Sequence, residues 1–150
     1  MSKGVAGAVT LALWAGAGAA QTWSHTVMDP NDPPYLSGAA ARAVSRDGEV
    51  RLDYTCTTEG ETLMLDGGVV ARLPSPAYVM FFVDGYQAGQ AVEMTEYEGA
   101  LFGTPDRALL DGLAGGSTLD VYLAGTTNNF TSFGLGGSSA ALRAARAACG

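Results

Sequence analysis

Between residues 49 and 56 the chain alternates strictly, with Val50, Leu52, Tyr54 and Cys56 on one side and Glu49, Arg51, Asp53 and Thr55 on the other. A period of two predicts a half-buried β-strand, with Cys56 turned inward and the charged residues turned toward solvent. After a turn at Glu59-Gly60-Glu61, residues 62–65 and 69–73 read as two short strands joined by Asp66-Gly67-Gly68, a hairpin signal. The run at 78–83, Tyr-Val-Met-Phe-Phe-Val, is apolar throughout. That predicts the central strand of a sheet, covered on both faces. Asp84-Gly85 then turns the chain into a further strand near 91–97.

The period lengthens in two places. Thr104-Pro105-Asp106 offers an N-cap, a proline at the first helical position and an acid at the positive end of the dipole, and Leu109, Leu110 and Leu113 follow before Gly115-Gly116. A helix of about two turns is expected there. Strands at 118–124 and 129–135 come next, Gly136-Gly137 breaks the pattern, and Ser138 or Ser139 is placed to cap a closing helix. On that helix Ala141, Leu142, Ala145, Ala148 and Cys149 share one face, while Arg143 and Arg146 point away. The fold class that follows is mainly β (α+β): an antiparallel β-sandwich or curled sheet with one short helix and a C-terminal helix packed on it.

The N-terminus changes where such a domain is expected to work. Residues 1–20 carry one basic residue, Lys3, then an apolar stretch over 5–15, then small residues ending in Gly18-Ala19-Ala20. These are the n-, h- and c-regions of an export leader, and cleavage is expected after Ala20. A membrane anchor would need about 20 strongly apolar residues, whereas this stretch is short and diluted by Gly4, Gly7, Gly16 and Gly18. Residues 21–150 then form a single exported, β-rich domain with a periplasmic or secreted location and no membrane span. In an oxidising compartment two cysteines, one on the core face of a strand and one on the core face of a helix, are expected to form a Cys56–Cys149 disulfide. Two unpaired thiols are the alternative.

Charge narrows the partners. Formal net charge is −7. Lys3 is the only lysine, so loss of the leader leaves seven arginines against 15 acids, or −8. Such a surface repels phosphate backbones and anionic lipid, which argues against nucleic acid or a membrane surface as partner.

The ending at 130–149 runs Phe130-Thr131-Ser132-Phe133-Gly134-Leu135-Gly136-Gly137, then an Ala-Leu helix and Cys149. It resembles the ending of small periplasmic proteins of the VasI/TagO kind, associated with type VI secretion. Trp23, Cys56 at the end of a strand, and Val83-Asp84-Gly85 extend the resemblance over residues 23–149, although Phe81-Phe82 stands where such proteins have an arginine. The resemblance implies a compartment and an accessory role, without a reaction.

Candidate chemistry is sparse. His25 is the only histidine and lies in a segment without periodicity, and no Gly-x-Ser-x-Gly elbow is present. Asp29, Asn31 and Asp32 cluster oxygen atoms in a proline-ordered loop, but Pro33 breaks the spacing of a calcium loop, and no metal or cofactor is assigned. Glu93, Glu96 and Glu98 supply carboxylates, with Glu96 and Glu98 on one strand face, so a small envelope hydrolase using acidic residues is the alternative function. Asn129-Phe130-Thr131 matches a glycosylation sequon, read here as chance in a chain of bacterial style. Aromatic residues offer more. Tyr54 and Tyr122 lie on strands and read as core, whereas Tyr35, Tyr86 and Tyr97 have loop or edge contexts. The candidate binding surface is therefore Asp29, Asn31, Asp32, Tyr35, Tyr86 and Tyr97, on a non-catalytic accessory or binding module of the bacterial envelope, with an envelope protein or glycan as partner.

Overall fold

The computed structural model describes residues 22–27 and 39–149. The leader expected over 1–20 and the loop residues Asp29, Asn31, Asp32 and Tyr35 lie outside the described residues. Among the described residues no helix is long and apolar enough to cross a membrane.

Among the described residues ten strands build one antiparallel sheet: β1 (Trp23–Val27), β2 (Ala39–Val44), β3 (Arg51–Thr57), β4 (Gly60–Asp66), β5 (Ala77–Val83), β6 (Tyr86–Gln87), β7 (Val92–Tyr97), β8 (Ala100–Gly103), β9 (Thr118–Leu123) and β10 (Asn129–Gly134). Their order is β1-β2-β3-β4-β8-β7-β5-β9-β10, with β6 also on β5. The sheet turns its corner at β7, whose first half, Val92 to Met94, pairs with β5 and whose second half, Thr95 to Tyr97, pairs with β8. A strand shared by two sheet halves is one way a sheet curls round a core. The two ends of the sheet are drawn together. The backbone N–H groups of Thr22 and Trp23 both donate to the Gly136 carbonyl at 3.1 Å, and Arg46 N–H donates to Ser132 at 2.9 Å. The Trp23 indole adds a bond to the Gly134 carbonyl at 3.0 Å.

The concave side holds the core. Trp23, Tyr54, Phe81 and Phe133 are its largest fully buried side chains, with Leu52, Leu63, Leu65, Leu101, Leu119 and Val121 around them. Each such side chain contributes about 1.5–3 kcal/mol relative to exposure. Two helices, α1 (Arg107–Gly115) and α2 (Ser138–Ala147), pack on this core through Leu109, Leu110, Leu113, Ala141, Leu142 and Ala145. Alanines let α2 lie close to β1, β2 and β3.

The Cys56–Cys149 disulfide is present, with a Cα–Cα distance of 5.2 Å, and it ties the end of α2 to β3. A polar tie runs beside it. Glu61, the cross-strand partner of Cys56, meets Arg146 at 3.6 Å and accepts a bond from the Tyr54 hydroxyl at 2.6 Å. Arg146 therefore reaches back to the sheet, where helical periodicity had turned it away. Burial, and then the Glu61 carboxylate, push the Tyr54 phenol well above its ordinary range.

Several local expectations are corrected. Residues 69–73 do not form a strand: Val70–Arg72 is a 3-10 turn with local bonds from Ala71 N to Gly67 O and from Leu73 N to Val70 O, and β8 takes the place beside β4. Gly67 (φ 153°) permits this because a Cβ there would collide with the Glu49 carbonyl. The N-cap of α1 is Asp106, which accepts from Leu109 N at 2.7 Å, so Pro105 precedes the helix rather than opening it. Helix α2 follows Gly137 at φ 82°, with no side-chain cap; Ser138 instead donates its hydroxyl to Leu113 O at 2.6 Å and joins the two helices. Asp53, expected in solvent, is fully buried between strands, held bidentate by Arg42 at 2.8 and 2.9 Å with Arg51 at 3.3 Å. A buried carboxylate is tolerable only when paired in this way. Finally, β5 is covered on one face only. Ala77, Val79, Phe81 and Val83 are buried, whereas Tyr78 is 51% exposed and Met80 and Phe82 are half-buried.

Replacing Cys56 and Cys149 together with alanine is expected to lower the unfolding free energy in urea by about 4–5 kcal/mol, the chain-entropy value for a closed loop of this length. An unchanged midpoint would contradict the staple.

Candidate binding surface

The tyrosines singled out from the sequence stand apart in the fold. Tyr86 is 79% exposed on β6, opposite Val83. Tyr97 is half exposed at the far end of β7, three residues past the Met94–Ala77 pair. Nine strand positions at about 3.3 Å each put roughly 30 Å between them along the sheet, so they do not form one site. Tyr97 sits edge-on to Phe102 with ring centroids 6.4 Å apart, and with Thr62, Thr95 and Glu96 it lines a shallow depression of about 570 Å³.

A second aromatic surface is larger in register. Antiparallel partners share a face, so Met80 opposite Tyr122, Phe82 opposite both Asp120 and Gln87, and Tyr78 opposite Glu93 all project from the convex side of the sheet. The rings of Phe82 and Tyr122 meet edge to face at 5.0 Å. Asp120 accepts from the Asn129 amide at 3.0 Å, which fixes the polar border toward β10. Tyr122 is thus half-buried on an outward face rather than in the core. A signal for it existed: Leu119 and Val121 take the inward parity of β9, which leaves Tyr122 with Asp120 and Thr118 on the other.

Several carboxylates have structural partners. Glu96 accepts from Gly99 N at 2.7 Å and closes the β7–β8 turn, while Glu98 stands in that turn at φ 52° rather than sharing a strand face with Glu96. Asp106 holds Gln90 N at 2.8 Å as well as capping α1. Asp47 accepts from the Ser45 hydroxyl and from Glu49 N, and both bonds lower its carboxyl below the ordinary range. Asp84, itself at φ 51°, accepts from Thr118 N at 2.9 Å and Ser117 N at 3.1 Å. His25 is exposed on β1 opposite Ala41. Among the described residues no three His, Cys, Asp or Glu side chains gather as a metal site.

These features define a class by fold: a mainly β, α+β domain whose nearly closed antiparallel sheet carries two helices and an outward aromatic face. The same fold occurs in the crystal structure of invasion associated protein B from Bartonella henselae, which aligns with a TM-score of 0.58 and 18% identity over 84% of this chain and 92% of that one. No family model matches the chain, and no curated protein matches it.

Thr118 and Ser117 hold the Asp84 carboxyl below its ordinary value, so the folded protein binds this proton less tightly than the unfolded chain. Its contribution is complete above the unfolded value of about 3.9 and is lost as pH falls through the lowered folded value. Asp84→Asn is therefore expected to flatten the acid limb of the stability curve below about pH 5, measured by thermal melts. Parallel wild-type and variant curves would contradict this.

Proposed function

We propose that this chain is a non-catalytic binding module of the bacterial envelope, exported, cleaved after Ala20 and working in the periplasm or outside the cell. One observation carries the reading: the hydrogen-bonded carboxylates close turns, cap a helix or bridge strands, while the sheet leaves aromatic side chains exposed. Exposed tyrosines on a rigid scaffold suit recognition of an envelope protein or glycan. The Cys56–Cys149 bond is compatible with an oxidising compartment. The name of the invasion associated protein, and the resemblance of the ending to type VI-associated proteins, both support a surface or secretion context for such a partner.

Co-sedimentation of the oxidised protein with isolated envelope fractions tests this. Saturable binding with no release of soluble glycan or peptide product is expected. Absence of binding, or release of product, would overturn the module reading.

A further inference from the structure

The convex face of β5 and β9 carries a more specific assignment, which rests on the binding-module reading. Tyr78, Met80 and Phe82 stand at alternate positions of β5, and Tyr122 is fixed beside them by its edge contact with Phe82. Apolar aromatic and methionine side chains of this kind are the residues enriched at the centres of protein interfaces. Their register partners on the same face are acidic or neutral polar: Glu93 across from Tyr78, Asp120 and Gln87 across from Phe82. Strands β5, β6, β7, β9 and β10, as described, contain no arginine or lysine. Beyond them, the backbone N–H of Arg46 donates to Ser132 O at the β10 border.

Charge therefore selects the occupant. Phenol and phenyl rings present negative faces, and a cation above them is attracted more strongly where carboxylates flank the rings. The chain as a whole is at −7, which steers cationic partners toward it and repels anionic ones. The rings also meet at 65°, so they do not form the flat platform on which a sugar ring stacks. We infer that the Tyr78–Met80–Phe82–Tyr122 face docks a basic polypeptide segment of another envelope protein, with apolar side chains set against Met80 and Phe82 and lysine or arginine against Glu93 and Asp120.

The test uses the oxidised protein and two probes, a synthetic peptide alternating lysine with valine and a neutral chitooligosaccharide, with affinities read by calorimetry. The peptide should bind and weaken steeply with added salt. Phe82→Ser and Tyr122→Ser should each weaken it by about tenfold or more, as expected for central interface residues. Glu93→Gln with Asp120→Asn should remove most of the salt dependence, while Ser139→Ala, at an exposed position of α2, should leave binding unchanged. Melting curves confirm that each variant is folded. Peptide binding indifferent to the serine and amide variants would overturn the assignment of this face. So would saturable binding of the oligosaccharide that the serine variants abolish. Either result, with envelope co-sedimentation intact, leaves the module reading standing, whereas loss of co-sedimentation removes both.

Discussion

The fold depends on how a short, alanine-rich helix is kept against a curled sheet. Helix α2 spans ten residues, a length at which an isolated helix is marginal in water. It buries small side chains, Ala141 and Ala145, with only Leu142 as a large one. That limited apolar area is supplemented at its end by the Cys56–Cys149 bond and the Glu61–Arg146 contact, and at its start by the Ser138 bond to α1. The helix in turn covers the core side of β1, β2 and β3. Without it, Ala41, Ala43 and Cys56 would meet water and the near-closure of the sheet at Trp23 and Gly136 would lose its backing.

The same arrangement separates stability from recognition. Both helices and the disulfide lie on the concave side, and the outward aromatic face lies on the convex side of β5 and β9. The strands between carry both loads by alternation. On β5, Val79 and Phe81 belong to the core while Tyr78, Met80 and Phe82 face out. A partner on the convex face would therefore find its side chains positioned by a rigid strand whose other face is locked in the core.

Much of the framework was legible because burial and periodicity agree. The alternation of Val50, Leu52, Tyr54 and Cys56 placed Cys56 inward, and the i, i+4 spacing of Ala141, Ala145 and Cys149 placed its partner on the facing helix, so the bridge follows from two local patterns. Where the pattern misled, a tertiary partner had overridden it. Asp53 has the sequence signature of a solvent-facing residue and is buried because Arg42, eleven residues away, neutralises it. The run Tyr78–Val83 is apolar at every position and reads as a doubly covered strand, yet among the described residues its outer face is left partly exposed. Strands β1, β2, β6 and β8 were not legible: Ala39 to Ala43 is alanine-rich without alternation, β6 is two residues long and β8 only four. Of the sequence-chosen surface residues within the described part of the chain, Tyr86 and Tyr97 are exposed and lie toward opposite ends of β5, on β6 and β7.

Native-state hydrogen exchange, compared in the oxidised and reduced protein, tests the division between staple and binding face most directly. On reduction, the amides of α2 should lose protection first, while those of β5 and β9 beneath Tyr78, Phe82 and Tyr122 keep theirs. Equal loss of protection across α2, β5 and β9, or no change in α2, would contradict the account.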